Sequence, residues 1–202
     1  MNIEKDNIYH IYNQGNNRQN IFFKRENYLF FLTKIKTYIL PYANILAWCL
    51  MPNHFHLMVL VNEVELATEG FAQSETLGFD TPKRSLNFSV GLMLRSYTNA
   101  INKQQKRSGS LFRKNTKAEC ITCSEGIEPP YYMVNGITQI NTLKPAEEQY
   151  PQICFDYFHQ NPVNTGLVGA ATDWEFSSAR DYAGLRNGKL INKGIAREYI
   201  DF

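Results

Sequence analysis

The chain has 202 residues, of which 44% are hydrophobic and 20% charged, an ordinary globular composition that excludes collagen-like, disordered and mini-protein classes. Lys and Arg number 21 against 19 Asp and Glu, a net charge of +2 that by itself points to no polyanionic partner. The opening MNIEKDN is polar, and no later run reaches the ~18 apolar residues of a membrane span. The expectation is a cytoplasmic protein with no membrane contact.

In chain order, Ile8 to Tyr12 is rich in β-branched and aromatic residues and runs into the turn-like Asn13 to Asn17, which predicts a strand. From Arg25 to Leu40 the apolar residues Tyr28, Leu29, Phe31, Leu32, Ile35, Tyr38 and Ile39 recur at helical spacing, and Pro41 ends the run. Asn44 to Leu50 and His54 to Val61 predict two strands around a hairpin-like break at Met51-Pro52-Asn53. A polar loop over 63–82 precedes a helix from about Ser85 to Gln105, and a strand is expected between Leu111 and Ile121. The stretch 129–143 is ambiguous. A last helix runs from about Glu147 to Gln160, where Asn161-Pro162 should stop it, because a residue before proline is pushed out of helical space. This order predicts an α+β domain with an antiparallel sheet and helices on one side. The domain is expected over 1–185, with surface insertions near 63–82 and 124–146 and a tail over 186–202.

Charge is unevenly distributed. From Lys83 to Ala118 there are nine basic residues and no Asp or Glu, whereas from Glu119 to His159 six carboxylates face only Lys144. The basic stretch reads either as a polyanion-binding face or as a solvated surface with its counter-charges across the fold. Cys49, Cys120, Cys123 and Cys154 are sparse for a disulfide framework and are expected as reduced thiols. Cys120 and Cys123 have zinc-ligand spacing, but no second such pair accompanies them.

His54-Phe55-His56 is the most informative motif. On a strand the two imidazoles share one face while Phe55, Leu57, Val59 and Val61 take the other. Such a pair is half of a divalent-metal site or simply two hydrogen-bonded histidines. Tyr157 and Asn161 stand four residues apart, hence on one face of the last helix if it persists. Tyr157 is a candidate nucleophile and Asn161 a candidate amide ligand; the alternative is a core aromatic with its hydroxyl at the surface. Tyr97 is the rival nucleophile, and Tyr157 is preferred because its i+4 amide could coordinate the ion it must approach. His10 and His159 could each contact DNA or the active site, but are expected as packed, hydrogen-bonded histidines.

Five collinear blocks between about residues 7 and 185 carry a resemblance: Tyr9 to Phe22, Trp48 to Leu57, Ser96-Tyr97-Thr98 with Asn102 and Gly109-Ser110-Leu111-Phe112, Tyr157 to Val163, and Asp173 to Ser178. Together they resemble the REP-associated tyrosine transposases, members of the single-tyrosine HUH class. The resemblance implies a ferredoxin-like or RRM-like fold with the histidine pair on a central strand and the tyrosine on a nearby helix. It further implies Mg²⁺ or Mn²⁺ on His54 and His56 with Asn161 as third ligand, attack by Tyr157 on single-stranded or hairpin DNA, and a 5′-phosphotyrosine intermediate. Candidate DNA contacts are Asn16, Asn17, Arg18, Arg95, Lys103, Lys106, Arg107, Arg113, Lys114 and Lys117, with Phe112 stacking on bases. The segment between the basic strand and the tyrosine helix is longer than the family's usual spacing. The expected state is a monomer or homodimer. The alternatives are a binding module of the same fold without catalysis and a metal-dependent hydrolase of small substrates.

Overall fold

A computed structural model describes residues 2–67, 83–123 and 146–202. Strand β1 (Ile8–Gln14) is followed by helix α1 (Arg25–Tyr38), the hairpin strands β2 (Ala43–Met51) and β3 (His54–Val61), and a small two-stranded ribbon of β4 (Glu65–Ala67) and β5 (Lys83–Ser85). Helix α2 (Leu86–Gln104), strand β6 (Lys117–Cys120) and helix α3 (Ala146–Asn164) come next, and the short helices α4 (Ala179–Tyr182) and α5 (Lys193–Ala196) complete the order. The main sheet runs β2-β3-β1-β6 with every neighbouring pair antiparallel. With α1 after β1 and α2 before β6, this is the ferredoxin-like arrangement. The expected insertions 63–82 and 124–146 fall largely outside the described residues, as does the ambiguous stretch 129–143.

The sheet is covered on both faces, not one. Alternation along each strand sorts the side chains. Tyr9, Ile11, Phe55, Leu57, Val59, Trp48 and Leu50 pack with Phe31, Ile35, Val90, Met93 and Tyr97 of α1 and α2. Ile8, Met58, Cys49 and Met51 pack instead with Cys154, Phe155 and Phe158 of α3 and with Ala196 and Ile200. Two covered faces explain why β2 reads as an almost unbroken apolar run, Ala-Asn-Ile-Leu-Ala-Trp-Cys-Leu-Met, instead of alternating.

Helix α3 also continues past its expected stop. Pro162 lies within the last turn of a helix that ends at Asn164. A proline so near the end forfeits one backbone bond, and the burial of Phe158 at 0% and Asn161 at 5% exposure outweighs it. The extra turn keeps Asn161 helical and in register with Tyr157.

Residues 186–202, expected as a tail, return to the sheet. Ile191 bridges to Ile45 in parallel, the Asn192 amide donates to the Ile45 carbonyl at 2.9 Å, and Ala196 and Ile200 are buried. A buried ion pair secures this return. Asp181, 1% exposed, receives Arg186 through Nε at 2.9 Å and Nη2 at 2.6 Å, and the guanidinium lies over Trp48 at 5.2 Å. The Gly188 amide donates to the same carboxylate at 2.9 Å. Asp181→Ala should therefore cost about 2–3 kcal/mol in urea unfolding, below the 3–5 of a fully buried pair because Arg186 keeps some solvent. A change under about 0.5 kcal/mol would contradict a structural role for the pair.

The thiols also differ from expectation. Cys120 and Cys123 form a disulfide across a Cα separation of 5.6 Å, where the chain turns at the end of β6 and brings them within bridging range. Cys49 and Cys154 are free and buried. No described helix is long and apolar enough to cross a membrane.

Candidate active site

At the end of the sheet where β1 finishes and β3 begins, a cleft of about 570 Å³ opens against α3. Its walls carry His54 and His56 of β3, Tyr12 and Gln14 of β1, Arg113 and Lys117 on the approach to and start of β6, and Tyr157 and Asn161 of α3. Strand alternation puts both imidazoles on the α3 side with ring centroids 4.9 Å apart. The Tyr157 ring stands edge-on to His56 at 5.4 Å, and Asn161 is one helical turn further on. Histidine pair, tyrosine and amide thus meet in one cleft of one chain.

Hydrogen bonds orient the rings. The Asn53 amide oxygen, which can only accept, lies 2.6 Å from His54 Nδ1, so that nitrogen carries the neutral ring's proton. Asn161 Nδ2 lies 3.4 Å from His56 Nε2, and His56 Nδ1 lies 2.8 Å from His10 Nε2. The Asn161 side chain also favours the charged forms of His54 and Tyr157. Asn53 is itself fixed, since its carbonyl accepts from the Gly15 amide at 2.7 Å. Gly15 admits no side chain, because a Cβ there would come 2.1 Å from the Gln19 carbonyl oxygen.

Burial sets the protonation states. It lowers the His54 pKa to about 4, against a small opposing effect of the Asn161 hydrogen bond, and holds His56 well below the usual histidine range, helped by its two histidine neighbours. Both rings are neutral at pH 7, the form in which imidazole binds metal. Burial raises the Tyr157 phenol, and the Asn161 hydrogen bond partly offsets that rise. Burial likewise raises Tyr12, whose hydroxyl donates to Glu119.

No cluster of three or more His, Cys, Asp or Glu side chains among the described residues is arranged to hold a metal ion. Any cation here depends on two imidazoles and the Asn161 amide. Such a set fits Mg²⁺ or Mn²⁺ only with phosphate oxygens or water completing the shell, a habit of both ions.

The basic residues divide. Arg113 and Lys117 line the cleft. Arg95 and Lys103 belong to α2, on the opposite face of the sheet, and Lys106 follows its end. Arg107 donates to Gln19 Oε1 at 2.6 Å. The Asn16 amide donates to the Leu111 carbonyl at 2.9 Å, so the loop with Asn16, Asn17 and Arg18 packs beside the chain leading to Arg113 and Lys114, at the cleft end of the sheet. Phe112 is not placed for stacking on bases: it is 5% exposed and packed among Phe31, Phe55 and Tyr97. Tyr97, the rival nucleophile, is buried on the α1–α2 side with its hydroxyl donating to the Ile21 carbonyl at 2.8 Å. His159 is buried and pairs with Ser178 Oγ at 2.7 Å, tying α3 to the segment beside β2.

Sequence reasoning missed Asn53; it allowed His10 a contact with the site but could not name His56 as the partner. Alternation along β1 places His10 and Tyr12 on one face, but their neighbours follow only from the register, which sets Tyr12 opposite His56.

No protein-family model matches the chain, and no curated protein matches it. Among solved structures it is similar to a REP-associated tyrosine transposase bound to a REP hairpin, with a TM-score of 0.53 and 17% identity, over 92% of this chain and 86% of that one. The likeness shows a shared fold.

Proposed function

We propose that this protein is a single-tyrosine transposase of the HUH type, cleaving and rejoining hairpin-bearing single-stranded DNA through a 5′-phosphotyrosine. The observation that carries the reading is the Tyr157 ring lying with its centroid 5.4 Å from that of His56 and Asn161 Nδ2 lying 3.4 Å from His56 Nε2, in a cleft that also holds Arg113 and Lys117. The shared fold with a transposase bound to a REP hairpin supports it. Arg113 and Lys117 bind the phosphate backbone, and the resulting affinity is sensitive to salt. Asn16, Asn17, Arg18, Lys106, Arg107 and Lys114 extend that contact along the cleft end, whereas Arg95 and Lys103, on the opposite face of the sheet, take no part in it.

His54, His56 and Asn161 would hold Mg²⁺ or Mn²⁺, which when bound would supply Lewis-acid polarisation of the scissile phosphate. Tyr157 Oη attacks phosphorus, so that an Oη–P bond forms as the P–O3′ bond breaks. The phenolic proton ends on the departing 3′-oxygen. The Asn161 side chain favours the developing phenolate against the burial that disfavours it. Attack by a 3′-hydroxyl on the phosphotyrosine reverses the step and rejoins strands without external energy. Every group comes from one chain, so a monomer suffices.

A 3′-end-labelled hairpin oligonucleotide incubated with the protein tests this. The expected result is a detergent-resistant labelled adduct in Mg²⁺ or Mn²⁺ that is lost in chelator. Hairpin binding without adduct across a panel of hairpins would replace the proposal with a non-catalytic binding module.

A further inference from the structure

His10 is the buried titratable group nearest the proposed chemistry that no step uses. It is 5% exposed, stacked on Tyr12 at 4.5 Å and packed against Phe158 at 4.7 Å, with Nε2 held 2.8 Å from His56 Nδ1. The polarity of that bond follows from the other side of the His56 ring. Asn161 Nδ2 can only donate, so His56 Nε2 accepts and carries no proton. The single proton of a neutral ring is then on Nδ1 and is donated to His10 Nε2.

We infer that His10 is a positioning residue for His56: it accepts the Nδ1 proton and so keeps Nε2 unprotonated and aimed into the cleft. The inference deepens the strand-transfer proposal and rests on it for its purpose. A cation would need the Nε2 lone pair that faces Asn161 Nδ2 in this structure, and that lone pair is free of a proton without any change of tautomer. Asn53 does the same for His54, whose Nδ1 lies 2.6 Å from its amide oxygen. Both rings of the pair therefore present the same nitrogen. Partners of this kind usually tune metal affinity about 10–100-fold.

Long-range ¹H–¹⁵N spectra of histidine-labelled, metal-free protein at neutral pH read the tautomer directly. The expected result is His56 protonated at Nδ1 and bare at Nε2; a proton on Nε2 overturns the inference before any variant is made. His10→Gln keeps an acceptor and should retain this tautomer and bind Mn²⁺, followed by electron paramagnetic resonance, within about threefold of wild type. His10→Phe keeps the stacked ring but not the acceptor; it should mix the His56 tautomers and weaken Mn²⁺ by about 10–100-fold. A folded His10→Phe protein with an unmixed tautomer and wild-type Mn²⁺ affinity overturns the inference. Wild-type protein that shows the Nδ1 tautomer yet binds no Mn²⁺ upholds the His10 assignment and sinks the metal-dependent reading instead.

Discussion

Replacing Tyr157 with phenylalanine is expected to remove the DNA adduct, by at least about 10³-fold, because a ring without Oη has no oxygen to esterify. Hairpin affinity should change little, since the proposed phosphate contacts fall to Arg113 and Lys117, which line the cleft and are untouched by the substitution. The control is chosen by geometry. Tyr97→Phe removes a hydroxyl bound to the Ile21 carbonyl on the far side of the sheet, so the adduct should persist while stability falls by about 1 kcal/mol. Tyr12 is the nearer competitor, since it lines the same cleft and its hydroxyl donates to Glu119. Tyr12→Phe should leave an adduct that peptide mapping places on Tyr157. An adduct that survives Tyr157→Phe and maps to Tyr12 would move the nucleophile from α3 to β1 and leave the rest of the cleft in the same role.

The parts of this site written in local periodicity were legible from the chain. Two histidines at i and i+2 on a strand share a face whatever the strand pairs with, and a tyrosine and an amide at i and i+4 share a helix face. Features set by distant pairing were not. His10 meets His56 only because β1 and β3 lie antiparallel in a register that pairs His10 with Met58 and Tyr12 with His56. Asn53 read as hairpin punctuation, and only the tight approach at Gly15 shows that it is a fixed hydrogen-bond partner. Local rules also misled where burial outweighed them. Pro162 signalled a helix end that the packing of Phe158 and Asn161 postponed by a turn. Phe112 stood among basic residues and suggested base stacking, yet its ring joins the α1–α2 core. The acid-free run was equally visible, but sequence cannot say that α2 faces away from the cleft while Arg113 and Lys117 face into it.

Acidification should begin to destabilise the metal-free protein well above the range where carboxylates titrate. All four histidines are held down by burial: His10 to about 3, His54 and His159 to about 4, and His56 well below its usual value. In the unfolded chain each titrates near 6.5. Below that pH the unfolded state takes up protons that the folded state refuses, so stability is greatest above about pH 6.5 and declines as pH falls. For His10, His54 and His159 the decline continues to their folded-state values near 3–4, where both states are protonated and their slope vanishes. Each such group contributes about 1.4 kcal/mol per pH unit inside the window. Counting only His10 and His159, both nearly inaccessible, the loss is roughly 3 kcal/mol per pH unit, against a typical total of ~5–15 kcal/mol. Urea midpoints in chelator should therefore fall steeply between pH 6 and 4.5. Added Mn²⁺ should blunt the fall, because a cation on His54 and His56 binds only the folded, unprotonated pair. A midpoint that stays flat from pH 7 to 5 would mean that these imidazoles reach solvent, and with that the case for a neutral, ligand-ready pair at the cleft would fail.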